Sequence, residues 1–330
     1  MCNNLGFRDV LAIPSSIKRW LIARKMSRSS SVFAYEKNLR ALRHYISEDP
    51  GRLYFDYGVS KVLARLSYRP STVYERLQIR LKSWYQEQDG RFWNIAGLVN
   101  KKTMRKRVES LGVPLPAVYF CGRDMTSLDM GSLPERFVAK PHGGSNAKGI
   151  FIMNGSRELL SGKEFDRKNS SFRFLMSDFV LSSKGANEKS EIIIEEFQQD
   201  WFEADGIPLD YKAHCYGGKV RFFQVINRNE GRRSQSFYTR EWKSMPAITK
   251  SYPEGERIPR PPCLPELIRY ADIVAGDLKQ MIRLDFYVTK RGPVFGEFTT
   301  YPGAGKNYTV FGNALAIQCW ELYPDEPSLY

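Results

Sequence analysis

In the stretch MIRLDFYV (281–288) polar and apolar residues alternate, Lys290-Arg291-Gly292 reads as a turn, and VFGEFTT (294–300) runs back. An antiparallel hairpin of this kind brings Asp285 and Glu297 near one another on adjacent strands. Two hard oxygen donors suit Mg²⁺, which takes one or two carboxylates and completes its shell with phosphate oxygens and water. Arg283, two residues before Asp285, shares its face and could neutralise a transferring phosphoryl group or a developing oxyanion. Ile282, Leu284, Phe286 and Phe298 alternate with these, so one face of the hairpin is apolar and the other polar and convergent. A plain cross-strand pairing on the surface is the competing reading.

Two further segments could serve the same chemistry. In FVAKPHGGSNAKGI (137–150) a lysine ends a strand and a Gly-rich turn follows. Gly143 and Gly144 would let backbone N–H groups approach an anion, Ser145 adds a donor, and Lys140 would set its ammonium on phosphate oxygens. An ordinary hairpin turn would use the same glycines. In EIIIEEFQQD (191–200) three β-branched residues lead to two carboxylates and an aromatic. That is the form of a buried strand emerging at a cleft, where polar groups accept from an adenine amino group and apolar side chains sandwich the ring. It is equally the form of a strand ending in solvated acids.

The elements that must position these residues are legible in outline. Thr72 and Glu75 form a capping box ahead of YERLQIRLKSWYQEQ, whose apolar spacing predicts a helix, and residues 30–95 read as helical, with a break at Asp89-Gly90. A helix over 100–112 ends at Gly112, and Pro114 and Pro116 lead into AVYFC. From 136 the pattern changes to short apolar runs, RFVAKP, GIFIMN, EIIIEEF, YKAHCY, VRFFQVI, MIRLDFYV and PVFGEFTT, each read as a strand. A single helix, 264–280, interrupts them, with Leu267, Tyr270, Ala271, Val274 and Leu278 on one stripe. The polar stretch 154–190 reads as a helix plus a loop. The order of elements gives an α+β fold.

Composition bounds the partners. The 330 residues, 42% hydrophobic and 26% charged, suffice for two or three packed subdomains. Five scattered cysteines form no C-x-x-C pair and three histidines no i, i+4 pair, which argues against a disulfide framework, a thiolate zinc site or a Ser-His-Asp triad. The start has no apolar secretory signal, so a cytoplasmic protein is expected. The formal charge of +14 suits polyanions. It is concentrated early: residues 1–90 carry 16 Lys/Arg against 8 Asp/Glu, including SIKRWLIARKMSR (16–28). That run is a solvated helix face, or a contact with an anionic substrate or membrane surface.

Taken in order, FVAKPHGGSN, IIIEEF, LDYKAHCYGGKVRFFQV and IRLDFY…FGEFTTYPGAG resemble the ATP-grasp superfamily, and within it the TupA-like branch associated with teichuronopeptide and other surface-polysaccharide synthesis. The resemblance covers about 97–312. It implies two α+β subdomains clasping ATP, over 96–200 and 201–330, after a helical, basic region 1–95 of unassigned role. It makes Lys101 (or Lys102) and Lys140 the ATP-phosphate lysines, 142–149 with His142 a phosphate flap, and Glu195, Glu196 and Phe197 the adenine hinge. Asp210 or Lys212 becomes a ribose or phosphate contact. Asp285 and Glu297 become the Mg²⁺ ligands and Arg283 the stabiliser of an acyl phosphate. YPGAGKNY (301–308) lines the acceptor pocket, with Lys306 available to an anionic group. Thr299 stands where the family pattern commonly has Asn, which bears on a second metal.

The implied reaction is Mg²⁺- and ATP-dependent joining of a carboxylate to an amine, on a small molecule or an acidic glycan or peptide. Phosphoryl transfer to a hydroxyl would use the same cleft. A polyanion-binding module would rest on charge alone, and no nucleic-acid-reading motif accompanies it.

Overall fold

The computed structural model describes residues 72–77, 80, 101–126, 128–142, 149–182, 191–202, 206–229, 231 and 233–325. Nearly all of the expected N-terminal helical region, and Gly143, Gly144 and Ser145 of the Gly-rich turn, lie outside them. Residues 73–77 are helical, and the backbone N–H of Glu75 donates to Thr72 Oγ1 at 3.2 Å, as a capping box requires.

Two antiparallel sheets carry the molecule. The first has the order β1-β5-β2-β3-β4, from β1 (Val118–Gly122), β2 (Arg136–Pro141), β3 (Phe151–Asn154), β4 (Arg157–Glu158) and β5 (Ile192–Glu196). Helix α2 (Phe172–Leu181) covers one face, burying Phe172, Met176 and Val180 against Phe137, Ala139, Phe151 and Ile194. The second sheet has the order β11-β10-β6-β7-β8-β9, from β6 (Asp210–Tyr216), β7 (Lys219–Asn227), β8 (Ser234–Thr239), β9 (Ser244–Met245), β10 (Ile282–Thr289) and β11 (Gly292–Thr299).

Helix α3 (Leu264–Leu278) lies on the second sheet because Leu264, Leu267, Ala271, Val274 and Leu278 form one apolar stripe. Tyr270 of the expected stripe is only half-buried, with the Arg269 guanidinium 4.3 Å from its ring centre. Helix α1 (Lys101–Ser110) precedes the first sheet in sequence but packs with the second, placing Met104 and Val108 in the core of Leu284, Phe286, Phe295 and Phe298. It ends as its sequence dictates, with Gly112 in the left-handed region at φ 68°. On the opposite face of the second sheet sits α4 (Val310–Leu322), capped by Thr309 Oγ1 and buried all round. Among the described cysteines, Cys121, Cys215, Cys263 and Cys319 are free thiols. No helix among the described residues is long and apolar enough to cross a membrane.

Candidate active site

The closing hairpin has a two-residue turn, Lys290-Arg291, because Thr289 pairs with Gly292. Counted from that turn, Phe286 faces Phe295 and Asp285 would face Gly296, which would point Glu297 into the apolar core. A register shift after Phe286 prevents this: Asp285 pairs with Glu297, Leu284 with Phe298 and Arg283 with Thr299. The extra residue is Gly296, a β-bulge that turns Glu297 to the polar face. A Cβ there would sit 3.1 Å from the Asp285 carbonyl oxygen and 3.3 Å from the Tyr287 ring, so the close approach favours glycine.

On its other side β10 pairs with β6, putting Lys212 opposite Asp285 and His214 opposite Arg283. Asp285 is therefore surrounded by cations. Arg283 donates from Nε to Oδ1 at 2.7 Å and from Nη2 to Oδ2 at 2.8 Å, and the Lys212 ammonium also bonds Oδ2. Burial by itself would raise the Asp285 pKa, but the charges of Arg283 and then Lys212 outweigh it and hold the carboxyl well below the usual range. Glu297 is the reverse case. Burial first, and the Asp285 charge second, push its pKa up, and it has no ion-pair or hydrogen-bond partner among the described residues. One acid is held by two bonded cations and its neighbour has none bonded to it, which is a donor set that fits Mg²⁺. Among the described residues no group of three or more His, Cys, Asp or Glu could hold a metal by itself, so phosphate oxygens and water would complete the shell.

The first sheet supplies the facing wall. Lys140 sits opposite Ile193 and Val138 opposite Glu195, so Lys140 and Glu195 are diagonal neighbours on one face and form an ion pair. Lys101, at the start of α1, donates to the His142 carbonyl oxygen at 3.2 Å. Burial, then the Lys140 charge, lowers the Lys101 pKa to about 8 against opposing support from Glu297 and Glu195. Between the walls lies an apolar group of Ile152, Phe197 and Ile207 with Val138, Ile150 and Leu160. Beside it the buried Gln198 Oε1 has no partner among the described residues.

Lys101, Lys140, Glu195, the apolar group and Gln198 line a single cleft, together with Glu196, Asp210, Lys212, Asp285 and Glu297. Its empty space, with the open solvent at its mouth included, is about 1070 Å³.

His142, Thr299 and Lys306 lie outside that lining, and Glu195 and Glu196 within it have partners of their own. The His142 ring accepts from the Lys102 backbone N–H at 3.2 Å, under the start of α1. Thr299 Oγ1 accepts from Arg283 Nη2 at 2.8 Å. Lys306 is exposed, 5.9 Å from the centre of the Tyr74 ring. Glu195, expected beside an adenine, is on Lys140, whereas the Glu196 carboxylate accepts from the Ala117 backbone N–H at 3.3 Å and from Arg291. Arg228, Tyr287 and Gln198 also line the cleft and were not singled out from sequence. Arg228 pairs with Asp210 at 2.7 Å. Its signal was its parity: Gln224, Ile226 and Arg228 alternate along β7 and the residue beyond it, on the face of Lys212 and Asp210.

The sequence pattern of TupA-like ATP-grasp proteins matches residues 75–313, well over half of the chain. A comparison with curated proteins gives no match. Among solved structures, the D-alanine–D-alanine ligase of Helicobacter pylori is similar at TM-score 0.40 and 15% identity, over 68% of this chain and 60% of that one. The D-alanine–D-alanine ligase of Bacillus anthracis gives 0.42 and 15%, over 68% and 63%. The D-alanyl-alanine synthetase A of Vibrio cholerae gives 0.43 and 13%, over 68% and 62%. The chain thus spans less than two thirds of each, and TM-scores below 0.5 carry nothing about activity.

Proposed function

The chain belongs to the TupA-like ATP-grasp family, and from that premise we propose that it is a Mg²⁺- and ATP-dependent carboxylate–amine ligase acting in the synthesis of a cell-surface polysaccharide or peptide conjugate. The observation that carries the reading is the pairing of Asp285 with Glu297 across a bulged hairpin, in one cleft with Lys101, Lys140 and Lys212. Residues 96–200 and 201–330 would be the two clasping subdomains, with α1 of the first stretch packed on the sheet of the second.

In this reading the adenine lies against Ile152, Phe197 and Ile207, and the free Gln198 Oε1 accepts from its amino group. Lys140 and Lys101 hold the phosphates as point charges. Asp285 and Glu297 would hold Mg²⁺, which supplies charge neutralisation at the triphosphate. A carboxylate is a poor electrophile. Its oxygen attacks the γ-phosphorus, ADP leaves, and an acyl phosphate forms; an amine then adds to the acyl carbon, phosphate departs, and the proton lost from the nitrogen passes to the leaving phosphate or to water. Arg283, fixed by Asp285 and Thr299, is the cation for charge developing on the acyl phosphate. No protein nucleophile is needed, because positioning and electrostatics lower the barrier. The basic composition suits an acidic glycan or peptide as substrate, and a peripheral contact with anionic membrane.

The test is a panel of uronic acids, amino acids and acidic peptides incubated with ATP, Mg²⁺ and hydroxylamine. The ligase reading expects ADP, phosphate and an acyl hydroxamate. Transfer of the γ-phosphate into a stable phosphate ester would establish a kinase instead.

A further inference from the structure

Lys212 is placed where it competes with a metal ion. Its side chain is 4% exposed, and its ammonium bonds Asp285 Oδ2 while lying 3.5 Å from Asp210 Oδ2. That same Asp285 oxygen also receives Arg283 Nη2 at 2.8 Å. An oxygen already holding two charged donors has no free lone pair for Mg²⁺, which needs contacts of about 2.0–2.1 Å. Oδ1 holds only Arg283 Nε, so it is Oδ2 that is closed, and one of its two donors must leave before Asp285 can offer both oxygens beside Glu297.

The geometry selects which. Arg283 grips both oxygens of Asp285 with its planar fork and bonds Thr299 as well. Lys212 makes one bond to Asp285, is a point charge on a flexible stem, and already has a second carboxylate within reach in Asp210. Asp210, however, is shared with Arg228, which contacts it at 2.7 and 2.8 Å. Left with that half-used partner alone, a buried ammonium would be under-neutralised. A triphosphate in the same cleft would supply the missing anion.

Resting on the Mg·ATP reading above, we propose that Lys212 is a built-in counter-ion of the metal site: it occupies Asp285 until nucleotide arrives, then moves to the phosphates and releases Asp285 to act with Glu297. Lys212 is in this sense a positioning residue that makes metal binding conditional on nucleotide. Without nucleotide the site then offers a free divalent cation only Asp285 Oδ1 and Glu297, beside the Lys212 charge, and holds it weakly.

The experiment is Mn²⁺ binding to the full chain, followed by the loss of the free-ion electron paramagnetic resonance signal without nucleotide and, with a non-hydrolysable ATP analogue, by the loss beyond that of Mn²⁺ and the analogue without protein. Wild type should bind Mn²⁺ weakly alone and tightly with the analogue. Lys212→Met should bind Mn²⁺ without nucleotide at least 10-fold more tightly than wild type, and Lys212→Met with Glu297→Gln should lose that gain. Lys212→Gln serves as the second variant if the thioether disturbs packing. The proposal is overturned if neither variant gains affinity, or if wild type binds Mn²⁺ tightly without nucleotide, a result that needs no variant. Wild type binding Mn²⁺ with the analogue while the variants gain nothing would sink the exchange and leave the nucleotide site standing. Wild type binding neither would sink the nucleotide site itself.

Discussion

Nucleotide affinity should fall with rising pH through a single group, Lys101. Burial and the Lys140 charge bring its pKa from an ordinary value near 10.5 down to about 8. The charged fraction of such a lysine drops from about nine-tenths at pH 7 to about one-tenth at pH 9. If only the ammonium holds the phosphates, affinity falls about 10-fold over that range, about 1.4 kcal/mol. A bound triphosphate pulls the proton back, so binding should take up about half a proton at pH 8 and nearly one at pH 9. Calorimetry of an ATP analogue with Mg²⁺, in two buffers of different ionisation enthalpy, measures both quantities. Lys101→Met should bind more weakly at pH 7 and show neither slope nor uptake. The effect on stability has the opposite sign: the folded protein holds this proton less tightly than the unfolded chain, so through Lys101 stability rises from about pH 8 to 10.5, and Lys101→Met removes the rise. An affinity that is flat from pH 7 to 9 with no proton uptake refutes the role given to Lys101, as does a methionine variant that keeps the slope.

The two acids of the hairpin should behave oppositely. Glu297→Gln removes a like charge beside Asp285 without unpairing anything, so its thermal midpoint should rise while ATP turnover falls at least about 100-fold. Asp285→Asn leaves Arg283 and Lys212 without their shared anion and should cost about 3–5 kcal/mol in denaturant unfolding, with turnover also lost. Gly296→Val forces a branched side chain against the Asp285 carbonyl and the Tyr287 ring; unfolding should show a loss of roughly 1–3 kcal/mol and Mn²⁺ affinity with an ATP analogue should drop with it.

Local patterning made the hairpin readable, since MIRLDFYV and VFGEFTT alternate around a short turn. The bulge was written there too, in two core aromatics, Phe295 and Phe298, three residues apart with Gly296 between them, a spacing no regular strand puts on one face. Strands β8 and β9 were missed because SQSFYT opens on Ser234, Gln235 and Ser236, with no apolar residue among them, and β9 is only two residues long. Helix α4 escaped because it is buried all round and leaves no 3.6-residue stripe. Lys212 against Asp285, and Lys140 against Glu195, depend on pairings between strands 73 and 55 residues apart, which no local period encodes. Placing Lys306 with the acceptor loop followed the family pattern; the structure sets the Gly305 backbone against Val73 and Tyr74, a long-range packing that faces Lys306 to the Tyr74 ring.

The most direct measurement is a crystal structure with Mn²⁺ and a non-hydrolysable ATP analogue, using the anomalous signal of the metal. An anomalous peak between Asp285 and Glu297, with phosphates on Lys101 and Lys140 and the base against Phe197, is the expected result. A metal bound elsewhere, or a nucleotide outside the cleft between the two sheets, would contradict the assignment.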